Sequence, residues 1–212
     1  MKTPTDVTKG ANATTARTPN PANSPSTPGE VRVIAGDYRG RKIRVLDLPG
    51  LRPTPDRVRE TVFNWLQFKL PGARCLDLFA GSGALGIEAL SRGALSVEFV
   101  DAELRALKAI QATLVEYNCP PTKFTMKRLD VVGYLRGQNQ VEPYDIVFLD
   151  PPYPLKLQGS VVQKLHALWL KPGGLVFAEW PVNNPAPLFG TRFQVRREGR
   201  AGAVNFVLLE GV

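Results

Sequence analysis

The sequence predicts an α/β fold: a doubly wound, mostly parallel, seven-stranded Rossmann-like sheet with an antiparallel C-terminal strand and an N-terminal β-hairpin plus helix. Three observations predict it. From Pro71 onward, short apolar runs alternate with stretches of helical spacing, the pattern of consecutive β-α units. A glycine-rich turn, Gly81-Ser82-Gly83-Ala84-Leu85-Gly86, follows the first run and opens the first helix, where an open parallel sheet meets its ligand. The last two apolar runs are joined by a Gly-rich turn, Gly199–Gly202, which reads as a hairpin, so one late strand runs antiparallel.

The elements follow in order. Residues 1–29 are rich in Thr, Pro, Asn, Ala and Ser and lack apolar periodicity. Such a stretch cannot offset the entropy of ordering and is expected to be a disordered tail. It has no apolar core for a secretory signal. Residues 30–70 form a basic lead-in. "VRVIAGDYRGRKIRVLDLPG" alternates apolar and polar residues around Gly36-Asp37 and Arg39-Gly40, which reads as a β-hairpin. "TPDRVRETVFNWLQFKL" reads as a helix capped by Thr54 or Asp56, with Val58, Val62, Trp65 and Leu66 on one face. Residues 71–212 carry the main domain. Strands are expected at Ala73–Phe79, Ser96–Val100, Phe124–Lys127, Tyr144–Leu149, Leu175–Trp180, Phe193–Arg197 and Val204–Leu209. Helices are expected at Leu85–Ser91, Ala102–Tyr117 and Val161–Trp169, and Lys171-Pro172-Gly173-Gly174 reads as a turn.

Composition narrows the function classes. An apolar content of 43% supports a real core and excludes a disordered chain. The net charge of +8 and pI near 9.7 favour an anionic partner. The cationic residues Arg32, Arg39, Arg41, Lys42, Arg44, Arg52, Arg57 and Arg59 crowd the lead-in, before the sheet begins. Cys75 and Cys119 lie far apart and form no C-x-x-C or metal-ligand spacing, so reduced thiols, a cytoplasmic location and no metal are expected. No apolar run is long enough to span a membrane.

The glycine loop spells G-x-G-x-x-G, which fits a dinucleotide or another nucleotide cofactor. A dinucleotide's pyrophosphate needs the first glycine close to the strand end, facing the helix N-terminus. Here the strand is read as ending at Asp77, with Leu78-Phe79-Ala80 as a spacer. A carboxylate at Asp77 opposes phosphates and suits a cation, such as the amine and sulfonium of S-adenosylmethionine (SAM). Asp101, at the end of the second strand, suits ribose hydroxyls under either reading. The stretch Asp150-Pro151-Pro152-Tyr153 ends the fourth strand and separates the two. An exocyclic amine is a weak nucleophile because its lone pair is delocalised into the ring. The Asp150 carboxylate and the Pro151 carbonyl can each accept one N–H bond, orienting the amine and favouring pyramidal nitrogen. Proline fixes φ, so these acceptors are held rigidly. Tyr153 can stack on the base. His166, the lone histidine, reads as a structural or surface residue.

Asp77–Gly83 (D-x-F-x-G-S-G), Asp101, Asp130-Val131 and Asp150–Tyr153 resemble class I SAM-dependent methyltransferases that act on exocyclic amines. "VIAGDYRGRKI", "LRPTPDRVRETVFNWL" and "CLDLFAGSGALGIEALSRGA" are similar to the 16S ribosomal RNA (guanine(966)-N(2))-methyltransferase family. The resemblance spans about Val31 to Leu209. It implies SAM as cofactor, with Asp77, Phe79, Gly81, Ser82 and Gly83 holding its amino-acid end, Asp101 its ribose, and Asp130 with Val131 its adenine. It implies Asp150, Pro151, Pro152 and Tyr153 as the catalytic motif. The expected partner is 16S rRNA, alone or within an assembling 30S particle, bound by a monomer. Phe is also familiar at the position of Tyr153. A DNA adenine-N6 or cytosine-N4 methyltransferase is the nearest alternative, although no segment is left for a target-recognition domain. A nicotinamide oxidoreductase and a non-catalytic RNA-binding module also stay open.

Overall fold

In a computed structural model, the structure describes residues 29–47, 54–137, 142–152, 157–165 and 168–212. The expected tail, Arg52, Tyr153 and His166 therefore lie outside the described residues. A small antiparallel hairpin, β1 (Glu30–Arg32) with β2 (Lys42–Arg44), leads into α1 (Asp56–Leu66). The main sheet contains β3 (Arg74–Leu78), β4 (Ser96–Asp101), β5 (Phe124–Arg128), β6 (Tyr144–Leu149), β7 (Leu170–Pro181), β8 (Phe193–Ala201) and β9 (Val204–Gly211). Its order is β5-β4-β3-β6-β7-β9-β8. The first five of these strands run parallel, and β9 runs antiparallel to both β7 and β8. The order reverses between β3 and β6, so their carboxyl ends form the switch-point crevice.

Central strands buried on both faces need continuous apolar runs, and "VFL" of β6 and "LVFA" of β7 supply them. Alternation divides the core. Cys75, Phe99, Ile146, Phe148 and Phe177 face α1, α2 (Ala84–Ser91) and α3 (Leu104–Glu116). Leu76, Leu78, Val147, Leu149 and Val176 face α4 (Val131–Arg136) and α5 (Gln158–Lys164). Both cysteines are buried free thiols. No helix among the described residues is long and apolar enough to cross a membrane.

Several boundaries differ from the sequence expectation. β3 continues through Leu78, so the spacer before Gly81 is Phe79-Ala80. α4 was not anticipated, because six residues carry too little periodicity to register as a helix. α5 starts at Gln158 and stops at Lys164, short of Trp169, because Leu165 turns to extended backbone at ψ 91°. Lys171–Gly174 is no separate turn. It is absorbed into β7, where pairing with β6 shifts register between Tyr144 and Ile146. Gly199 lies within β8 rather than in a turn, and a Cβ there would come within 2.5 Å of the Phe206 ring.

The hairpin docks on the end of α2. Asp37 N donates to the Ser91 carbonyl (2.8 Å) and Tyr38 N to Ser91 Oγ (2.9 Å). Gly36 has φ +82°, and a Cβ there would sit 1.7 Å from the Ser91 carbonyl oxygen, so only glycine allows this approach.

Candidate active site

The crevice is built first by the turn after β3. Phe79 adopts φ 63°, a left-handed conformation that a bulky residue keeps only when its surroundings impose it. Ala80 N donates to the Val100 carbonyl (3.0 Å), and Gly83 N donates back to Ala80 (2.6 Å). Gly81 and Gly83 both have positive φ, and Gly83 caps α2. Gly81 N donates to Asp101 Oδ2 at 2.8 Å, while Asp101 Oδ1 accepts from Glu103 N at 2.8 Å. A carboxylate has about four acceptor sites, so Asp101 retains capacity for hydroxyl groups.

Asp77 lies beneath this loop, nearly sealed from solvent. Its Oδ2 accepts from Gly86 N at 2.9 Å. A Cβ on Gly86 would approach Phe99 Cε1 to 2.3 Å and Asp77 Oδ2 to 2.9 Å, so the third glycine permits close helix-to-strand packing. Burial is the main cause that pushes the Asp77 carboxyl up to about 8; the Gly86 hydrogen bond opposes it and Asp101 adds to it. A carboxyl destabilised in this way gains most from a nearby cation. On the other side of the sheet edge, Asp130 caps α4 through Gly133 N (2.8 Å) and is exposed, with Val131 buried behind it.

Asp150 follows β6 directly, with Pro151 buried and Pro152 half-buried. Its Oδ2 accepts from Thr54 Oγ1 at 3.1 Å. Thr54 was expected to cap α1, but Pro55 holds the N-cap position without a side-chain bond, and the hydroxyl serves Asp150 instead. The side chains of Asp150 and Glu179 share a hydrogen bond, and burial followed by Glu179 holds the Asp150 carboxyl well above the usual range. Thr54 and Glu179 are the residues that sequence reasoning missed. A lone acid inside the apolar run "LVFAEW" was the available signal for Glu179, since buried acids are rare unless paired.

The basic lead-in divides. Arg39, Arg44 and Arg57 are exposed, and Arg32 is half-buried. Arg41 is exposed and stacks over Tyr117, 4.9 Å from its centroid. Lys42 pairs with Glu30 at 2.8 Å. Arg59, expected to bind RNA, has a fully buried side chain: it contacts Asp56 at 2.7 Å, Glu88 at 3.5 Å and the Arg32 carbonyl at 2.8 Å. It is a structural residue.

The family model described as Conserved hypothetical protein 95 matches residues 31–210. The chain is 37% identical over 188 residues to "Ribosomal RNA small subunit methyltransferase D" of Haemophilus influenzae, covering 88% of this chain and 97% of that one. It is 39% identical over 186 residues to the protein of the same name from Escherichia coli K12, covering 86% and 90%. The solved structure named "Putative methyltransferase yhhF from Escherichia coli" is similar with a TM-score of 0.77 and 34% identity, over 86% of this chain and 98% of that one.

Proposed function

We propose a SAM-dependent methyl transfer for this chain, which belongs to the family described as Conserved hypothetical protein 95. The acceptor is the exocyclic N2 amine of a guanine in small-subunit ribosomal RNA. The observation that carries this reading is the Asp150-Pro151-Pro152 end of β6, set beside the glycine loop of β3 in one crevice, in a chain 37% to 39% identical to rRNA methyltransferases. SAM supplies an electrophilic methyl on a sulfonium. Gly81–Gly83 let backbone approach the cofactor closely, and Phe79 and Ser82 belong to the same turn. Asp77 provides negative charge beneath that turn, Asp101 accepts from ribose hydroxyls, and Asp130 with Val131 borders the adenine. Asp150 and the Pro151 carbonyl accept the N–H bonds of the target amine, with Pro152 and Tyr153 completing the base pocket. Most of the acceleration comes from holding nitrogen and methyl in line, an effect that can reach roughly 7–11 kcal/mol. Mapping N2-methylguanine in small-subunit rRNA from cells with and without the protein tests the reading; unchanged methylation refutes it.

The cofactor assignment has its own signature. A bound cation favours the ionised form of Asp77, whose carboxyl is otherwise pushed up to about 8. Binding below that pH therefore releases a proton, and SAM affinity rises with pH by up to about tenfold per unit before levelling off. Calorimetry in buffers of different ionisation enthalpy, with NAD as control, reads both effects. NAD binding without SAM binding would overturn the assignment, and a pH-independent SAM affinity would remove Asp77 from it.

The residues 30–70 form the RNA-facing lead-in of this reading. Arg39, Arg41 and Lys42, with Arg32, Arg44, Arg52 and Arg57 around them, contact phosphates flanking the flipped guanine. Phosphate contacts position the RNA without reading its sequence. Replacing Arg39, Arg41 and Lys42 together with alanine should weaken RNA binding and flatten its salt dependence, by roughly 0.7 to 0.9 in log–log slope per lost phosphate. SAM affinity should stay as it was. An unchanged slope would place the RNA on another face.

A further inference from the structure

We infer that Glu179 is a positioning residue of the active site, which holds a proton between itself and Asp150 and thereby presents the Asp150 carboxylate to the target amine. The inference rests on the methyl-transfer reading and adds a residue to it.

The geometry starts from the sheet. β6 and β7 run parallel with Leu149 beside Ala178, so the next residues, Asp150 and Glu179, are neighbours at the crevice. Asp77 lies on β3, on the other side of β6. Strand alternation sends all three acids to the face covered by α1 and α2, as it does Cys75, Phe148 and Phe177. Glu179 is 1% exposed, and its backbone carbonyl is pinned by Gln158 Nε2 at 3.0 Å. The Asp150 and Glu179 side chains are hydrogen-bonded to each other. An ionised carboxylate has no donor, so this bond requires one proton within the pair.

Two differences place that proton on Glu179. Thr54 donates to Asp150 Oδ2, which stabilises charge on Asp150. Glu179 is the more deeply buried of the two, which disfavours charge there. Asp77, the other carboxyl acting on Asp150, adds like charge and further opposes a doubly ionised pair. Thr54, Gln158 and Phe206, the β9 neighbour of Glu179, carry no charge. Asp150 is then an ionised acceptor oriented by two donors, one hydroxyl and one protonated carboxyl. Its remaining lone pairs are available to the amine. The pair titrates as a unit, so gain of a second proton removes the acceptor and loss of the shared proton removes one orienting donor.

The test compares Glu179→Gln and Glu179→Leu in steady-state methyl transfer across pH. Glutamine supplies a permanent donor, so E179Q should stay within about threefold of wild type near neutrality, while its activity persists to higher pH than that of wild type. E179L should lower kcat by about 10- to 100-fold, the range seen when outer-shell partners are lost, with the KM for SAM nearly constant. E179Q differs from wild type by one atom, so its pH profile decides the matter even if E179L fails to fold. An E179Q profile parallel to wild type, E179Q as impaired as E179L, or E179L as active as wild type would each overturn the inference. Absence of methyl transfer by wild type on small-subunit RNA would instead refute the functional reading itself.

Discussion

Replacing Asp150 with alanine is expected to lower kcat by about 10²–10³, the loss that follows removal of one preorganised polar contact from a transition state. SAM affinity should change little, because the glycine loop, Asp77 and Asp101 sit on β3 and β4 rather than on β6. Asp150→Asn separates two contributions. The amide keeps the shape and one acceptor oxygen but loses the charge, so it should recover orientation without full activity. Single-turnover kinetics with saturating SAM measure the chemical step directly. Turnover within a few-fold of wild type in the alanine variant would exclude Asp150 from the reaction.

The second large effect falls on stability. Glu88 is fully buried in α2 and accepts from Ile34 N (2.7 Å), Ala35 N (3.1 Å) and Arg92 Nε (2.7 Å), with Arg59 Nη1 at 3.5 Å. One carboxylate thus ties the hairpin loop, α1 and α2 together. Glu88→Ala would leave two backbone amides without their acceptor and the buried Arg59 guanidinium with only Asp56 and the Arg32 carbonyl. Removing one partner of a buried ion pair costs about 3–5 kcal/mol. For a chain of this size that is a fall in melting temperature of roughly 10 °C. Arg57→Ala, one turn away from no such network and exposed to solvent, should change stability by less than about 0.5 kcal/mol. Equal melting temperatures for Glu88→Ala and wild type would show that the network contributes nothing.

The same network carries a consequence for the lead-in. The hairpin that presents Arg39, Arg41 and Lys42 is attached to the C-terminal turn of α2, whose N-terminus is the glycine loop. Docking through Gly36 and Ser91 sets the distance between the basic ribbon and the crevice. The cations themselves are individually replaceable, whereas the glycine at position 36 is not, because any Cβ there meets the Ser91 carbonyl.

Much of the fold and part of the site were legible in the sequence. Alternation of apolar residues marks strands, helical spacing marks helices, and both signals are local, so β3, β4, β6 and α3 are readable from their own residues. The glycine turn and Asp150-Pro151-Pro152 were readable for the same reason: their special backbone demands are written into adjacent residue types. Weak local signals failed where expected. The six residues of α4 and the bulged start of β7 depend on what packs beside them. What only the tertiary structure decided is which polar side chains meet. Arg59 looks like its exposed neighbours in sequence, and its burial follows from Glu88 on another helix. Thr54 reads as a helix cap until folding brings it to Asp150, 96 residues away. Glu179 reads as an isolated acid until parallel pairing of β6 and β7 sets it beside Asp150. Periodicity is encoded along the chain, but the energy of a buried charge depends on partners across it, and those partners exist only once the sheet has formed.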